Sequence, residues 1–341
     1  MPTSAEDNLV RWDPTSGPMY ESHFLKFNLP AEDLALWLRF TVLSGAGGPV
    51  FQVWAIAFDA ATPSRSFALI EAFPASKVRF ERDRLETHYG DCVLTHGSTS
   101  GSLDRAGHRL EWDLSWPVPE LGLRHFPHAS MYTGPLPKTK LLTPVQGTEM
   151  CGVVVIDGRR VAVSRAPGMQ GHNWGARHAK RWVWVHASGF AEDPTAVFEG
   201  VSSKIQLAGI ETPMLTMAHL ARAGHETITV NGLTEMVRAR STLEDLTWRF
   251  RAHSGEQGLE GHFSADPEQF VGLPYPNPDG PGAICLNSKI ASGEVRVLEH
   301  HGGVWRLGET FTTTRLAALE IGYTGDVPPG LGQDVKVHTD T

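Results

Sequence analysis

Three histidines and three tryptophans fall within fifteen positions of the stretch Met169-Gln170-Gly171-His172-Asn173-Trp174-Gly175-Ala176-Arg177-His178-Ala179-Lys180-Arg181-Trp182-Val183-Trp184-Val185-His186. Imidazoles move protons near neutral pH, and indole faces bury apolar ligand surface and attract developing positive charge. Read as one strand, Arg181 to Phe190 sets Trp182, Trp184, His186, Ser188 and Phe190 on one face and Val183, Val185 and Ala187 on the other. The first face suits a binding cavity, and it equally suits a Trp-rich core between two sheets. The histidines favour the cavity, because a buried imidazole needs a hydrogen-bond partner and a cluster of them fits a polar pocket better than a dry core.

Proton-initiated chemistry on an alkene needs a donor beside an apolar surface, and burial raises a carboxyl pKa so that the acid stays protonated. Glu199, in Val197-Phe198-Glu199-Gly200-Val201, is the first candidate because it shares a face with Val197 and Val201; in the opposite reading Phe198 is the core residue and Glu199 points outward. Glu21, in Tyr20-Glu21-Ser22, is a second. His172 and His178 share a strand face if Gly175 makes no bulge, and together with His186 they are candidates for acid–base work. No H-E-x-x-H or comparable spacing supplies the three or four convergent ligands of a metal site, so none is expected. His125, His128, His300 and His301 are expected in exposed loops. Gly97-Ser98-Thr99-Ser100-Gly101 has Thr where a nucleophile elbow needs Ser, and Ser44-Gly45-Ala46-Gly47-Gly48-Pro49 lacks the Lys of a phosphate loop. No cofactor is implied.

The elements that must position these residues read as strands. In Leu110-Glu111-Trp112-Asp113-Leu114-Ser115-Trp116 the apolar residues alternate with polar ones, the pattern of a half-buried antiparallel strand. Leu36 to Val42 and Phe51 to Ile56 are further strands. Asp157-Gly158 and Asn231-Gly232 each separate two apolar runs and favour hairpin turns. The 35 Gly and 23 Pro punctuate many short strands better than long helices. The expected helices are short, around Thr314 to Leu319 and at Asp33 to Leu36, and the proline-rich segment from Pro117 to Pro144 is expected as an extended crossing on the wall or rim of the first domain.

At 341 residues the chain is long enough for about two domains. The expectation is an all-β protein of two β-barrels or sandwiches in tandem, residues 1–170 and 171–341. Apolar residues make up 41% and charged residues 20%, a globular balance. A net charge of −8 offers a polyanion no long-range attraction, which argues against nucleic acid. Cys92, Cys151 and Cys285 are widely spaced and expected to be buried thiols, as in a reducing cytoplasm, and the N-terminus lacks a basic region followed by an apolar stretch. No run is long enough to span a bilayer.

Gly171-His172-Asn173-Trp174-Gly175, followed by His178 and Trp182-Val183-Trp184, resembles the signature of the lipocalin-like carotenoid 1,2-hydratase and tocopherol cyclase superfamily. Tyr20-Glu21-Ser22, Leu36-Trp37-Leu38-Arg39-Phe40-Thr41, Pro137-Lys138-Thr139-Lys140, Phe198-Glu199 and Thr212-Pro213-Met214-Leu215-Thr216 resemble it too, so the likeness spans most of the chain. It implies two lipocalin-like (calycin) domains around an apolar substrate, without metal or redox cofactor. Several relatives carry an acidic residue before the His-Asn-Trp-Gly core, where this chain has Gln170-Gly171. The expected function is cofactor-independent cyclisation, hydration or isomerisation of an isoprenoid- or polyketide-like molecule, a lyase or isomerase of secondary metabolism. Glu199, His172, His178 and His186 are the expected catalytic groups, and Trp174, Trp182, Trp184, Asn173, Tyr20 and Glu21 the expected substrate contacts. The alternative is a carrier that binds a lipophilic ligand without converting it.

Overall fold

Residues 2–207 and 210–325 are described by the computed structural model. Strand makes up 62% of the structure and helix 8%, which places it in the all-β class. Two large antiparallel sheets divide the strands. The first has twelve, between Met19 and Gly175, and curls into a nearly closed barrel; the second has ten, between Arg181 and Thr324. The strand Arg159–Gly175 remains hydrogen-bonded to Met19–Leu29 as far as Tyr20 opposite Gly175. The 170/171 division expected from the sequence therefore falls inside a strand of the first sheet, and residues 176–180 make the crossing. The last sixteen positions of the expected second domain, 326–341, lie outside the described residues.

Three buried apolar clusters follow from this layout. One lines the inner face of the first barrel, with Leu25, Phe27, Leu38, Val53, Trp112 and Val154. Another fills the second sheet, with Val183, Val185, Phe198, Trp248, Phe263 and Leu319. The third draws on both sheets, Phe24, Trp37, Trp54 and Met169 from the first and Trp184, Val201, Leu273 and Cys285 from the second, and forms the seam between them. Strands bordering the seam are thus covered on both faces. In Met19–Leu29, Leu25 and Phe27 enter the barrel core while Phe24 enters the seam, so apolar alternation disappears from the sequence.

Asp157-Gly158 makes the expected hairpin, with φ of 49° and 83°, and joins Thr139–Ile156 to Arg159–Gly175. Asn231-Gly232 does not: Gly232 has φ −61° and leads into the helix Leu233–Arg238, whose Met236 is buried in the seam. Thr314 to Leu319 is strand rather than helix. It lies in Val304–Thr324, where Ala317 and Leu319 enter the second core and Ala318 the seam, a double burial that mimics a helical pattern. Asp33 follows a short 3₁₀ turn at Pro30–Glu32, and the next strand begins at Leu34. Cys92 and Cys285 are buried, but Cys151 is exposed. No helix among the described residues is long and apolar enough to cross a membrane.

Candidate active site at the seam between the sheets

Arg181–Ser188 and Val197–Lys204 are neighbours in the second sheet, with His186 directly opposite Glu199 and Trp184 opposite Val201. Directly opposed residues project to the same side, and here that side is the seam, while Val183, Val185, Ala187 and Phe198 enter the second core. Glu199 therefore points inward, as its spacing from Val197 and Val201 suggests, and Phe198 is a core residue as well. All the donors reaching Glu199 converge on one oxygen. Trp184 Nε1 and Thr143 Oγ1 each donate to Oε1 at 2.8 Å, and His125 Nε2 lies 3.2 Å from the same atom. Oε2 is buried and has no hydrogen-bond partner among the described residues. A void with room for about one water is lined by His125, Glu199, Met217, His219, Thr229 and Asn231, among others.

The expectation that burial keeps Glu199 protonated is corrected by these neighbours. Burial does raise its pKa, but His125 and the Trp184 N–H, both on Oε1, outweigh it and hold the carboxyl down to about 2. Glu199 is a carboxylate. His186 Nε2 lies 2.7 Å from the Gln146 carbonyl and so carries the hydrogen, leaving the buried Nδ1 lone pair unpartnered. Burial, reinforced by nearby Lys26, lowers the His186 pKa to about 3, so the ring is neutral at physiological pH. One carboxylate oxygen and one imidazole nitrogen, on directly opposed residues, thus have unused capacity.

Trp184 meets Phe24 edge-on, with centroids 5.8 Å apart at 89°, and Lys289 Nζ lies 5.4 Å from its centroid. Toward one end of the seam, Tyr20 stacks on His178 at 4.0 Å and 12°, and Tyr20 donates to Thr139 Oγ1 at 3.0 Å. His178 is fixed by Asn277 Oδ1, which lies 2.8 Å from its backbone N and 2.9 Å from Nδ1; burial lowers its pKa to about 3. Trp182 stacks beyond it at 5.8 Å. The Trp182 ring lies so close over Gly322 that a Cβ there would stand 2.0 Å from it, so only glycine fits.

Charged residues that alternation reads as outward are buried here. Lys26 and Lys289 are both 0% exposed. Lys289 Nζ donates to Glu320 Oε1 at 2.8 Å and Asn287 Oδ1 at 2.6 Å, whereas Lys26 Nζ rests on the uncharged Asn28 Oδ1 and Leu316 O, at 2.9 and 3.1 Å. Burial, together with nearby Lys289, lowers the Lys26 pKa to about 7. The sequence signal for these groups is a cation inside a run apolar on both faces, as in Phe24-Leu25-Lys26-Phe27. His125, expected in an exposed loop, is 6% exposed, because Leu123–Arg124 pairs with Leu142 and Thr143 and delivers it to Glu199.

His172, Trp174 and Glu21 stand elsewhere, on the barrel side of the first sheet. His23 is directly opposite His172, and Glu21 opposite Trp174. Glu21 accepts the backbone N–H groups of Arg11 and Trp12, both at 2.7 Å, and lies 2.8 Å from His172 Nε2. His172 Nδ1 donates to Asp7 O at 2.9 Å, and His23 Nε2 to Asn8 O at 3.0 Å. Burial raises the Glu21 pKa and lowers His172 to about 3. The group anchors the N-terminal segment over the barrel mouth, with Arg11 over the Trp174 ring at 5.3 Å. It is not part of the seam. Half-buried Asn173 projects to the face opposite His172 and Trp174.

Glu21, His23 and His172 bring possible ligand atoms within 4.8 Å of one another. The arrangement does not suit a metal ion. The two imidazoles lie face to face, 3.9 Å apart at 16°, so an ion in the plane of one ring stands well out of the plane of the other.

Two uncharacterised proteins of Mycobacterium tuberculosis, from strains CDC 1551 and H37Rv, are each 25% identical over 326 residues, 95% of this chain and 92% of theirs. Among solved structures, an AttH-like protein from Nitrosomonas europaea matches 92% of this chain and 98% of its own with a TM-score of 0.54 at 10% identity. Kievitone hydratase from Nectria haematococca matches 92% and 93% with a TM-score of 0.53, also at 10% identity. At that identity the likeness establishes a shared lipocalin-like fold. The tocopherol cyclase-like family model matches residues 144–323, the stretch holding His172, Trp184, His186 and Glu199, and the chain belongs to that family.

Proposed function

We propose that this protein is a hydratase or cyclase acting on a lipophilic, alkene-bearing small molecule at the seam, without nucleotide or metal. The observation that carries the reading is the Glu199 carboxylate, whose donors sit on Oε1 while buried Oε2, like the Nδ1 of His186 on the directly opposed residue, has no partner among the described residues. A carboxylate held ionised in an apolar setting stabilises positive charge developing on a carbon skeleton, and the Trp184 face does the same. Either free atom can accept the proton released when a water or a phenolic oxygen adds. Lys26, with a pKa near 7, is a seam group able to give a proton at neutral pH. Family membership and the name of the hydratase neighbour support the reaction class. Tyr20, His178 and Trp182 wall one end of the seam, and His172, Trp174 and Glu21 hold the fold together.

The test is to incubate the purified protein with prenylated phenols and polyenes and follow them by mass spectrometry. Hydration adds the mass of one water, and cyclisation gives an isomer of changed retention. Substrates that bind and are recovered unchanged would identify a carrier instead.

A further inference from the structure

We propose that Arg39 anchors the carboxylate of a lipophilic ligand, which would make the substrate an apolar chain with an acidic head; this rests on the reading of the seam as the substrate site. Arg39 lies opposite Phe24 on one side and Trp54 on the other, and is 6% exposed. Its guanidinium faces the rings of Tyr275, Trp54 and Trp37, with centroids at 4.2, 4.8 and 5.8 Å. Among the described residues it has no carboxylate partner and makes no side-chain hydrogen bond. Buried Lys289, by contrast, is gripped by Glu320, and buried Lys26 and Lys140 each donate to uncharged oxygens, so that each has hydrogen-bond acceptors that Arg39 lacks. Aromatic faces offset part of the cost of desolvating a guanidinium but use none of its five N–H donors, whose planar fork matches a carboxylate.

Charge and shape agree with such a ligand. Lys289 is already matched by Glu320, so Arg39 brings an unmatched guanidinium to the seam. From Arg39 the rings continue through Trp37 to Phe24 at 6.4 Å and from Phe24 to Trp184 at 5.8 Å, where the indole N–H meets Glu199. Arg39 is thus linked to the reactive groups by a continuous series of packed rings.

The probes are dodecanoate and dodecanol, which share a chain and differ in the head. Their affinities for the full-length protein are read from quenching of tryptophan fluorescence. The wild type is expected to prefer dodecanoate by about tenfold or more. Arg39→Met should bring that preference close to one while leaving dodecanol affinity unchanged, and Arg39→Lys should weaken it by losing the paired hydrogen bonds. Equal wild-type affinities, no binding of either probe, or an unchanged preference in Arg39→Lys would overturn the proposal even if Arg39→Met fails to fold. Glu199→Gln separates the two readings: it should keep the preference for dodecanoate. If it also keeps full turnover, the reaction site has been misplaced while the anchor stands.

Discussion

Replacing Lys26 with Met should stabilise the protein in mild acid and lose that advantage in base. Lys26 is fully buried, and its pKa falls from 10.5 unfolded to about 7 folded. Each pKa unit is worth about 1.4 kcal/mol, so keeping the ammonium charged in the folded protein costs about 5 kcal/mol. The sign follows from proton binding: between pH 7 and 10.5 the unfolded chain holds a proton that the folded one has released, so stability rises with pH through that window. Below pH 7 the full cost applies, and at pH 10 less than about 1 kcal/mol of it remains. Against this, Met leaves Asn28 Oδ1 and Leu316 O without a donor, a loss of about 1–3 kcal/mol at any pH. The balance predicts a gain of about 2–4 kcal/mol at pH 6 and a loss of about 0–2 kcal/mol at pH 10. Urea unfolding of both proteins at the two pH values measures it, with the slope checked for constancy. A difference in stability that does not change between pH 6 and pH 10 would refute the reasoning, because it would mean that Lys26 titrates alike in the folded and unfolded chains.

Trp184→Leu removes the indole N–H from Glu199 and the edge-on contact with Phe24, and should lower stability by about 1–3 kcal/mol while weakening ligand binding disproportionately. Melting temperature and ligand affinity measured on one preparation decide it, and full affinity with a severely lowered melting temperature would make Trp184 a core residue only. Glu21→Gln should cost about 1.5–3 kcal/mol and speed proteolytic cleavage within residues 2–12, with the turnover number unchanged, because Glu21 holds the N-terminal segment rather than the seam. Limited proteolysis with parallel turnover assays checks both halves, and a collapse of turnover without faster cleavage would return Glu21 to the reaction site.

Where one face of a strand is buried and the other wet, the sequence was a sufficient guide. Leu110, Trp112 and Leu114 enter the barrel core, and Glu111, Asp113 and Ser115 do not. The face shared by Trp182, Trp184 and His186 was legible for the same reason, since Val183 and Val185 on the other side enter a core of their own. His172 and Trp174, close to them in sequence, lie on a different face. Residues 176–180 cross between the sheets, so side chains close in sequence end on the barrel side of one sheet and the seam side of the other. Lys26, Arg39, Lys289 and Glu320 were invisible because a charged residue is ordinarily assigned to water, and nothing local announces that a second sheet covers that face. His125 was missed for a different reason: its burial depends on a two-residue strand pairing with Leu142 and Thr143, a long-range contact inside a segment whose prolines suggest an irregular crossing.

The central claim is that the free oxygen of the Glu199 carboxylate takes part in the reaction. With a substrate in hand from the mass-spectrometric screen, the decisive measurement is the turnover number of Glu199→Gln, a change that keeps the shape and the Oε1 contacts to Trp184 and Thr143 but removes the charge. The account predicts a fall of at least about a hundredfold in kcat, with KM within about threefold and the melting transition still cooperative. A kcat equal to that of the wild type, in a variant that binds and folds normally, would contradict it.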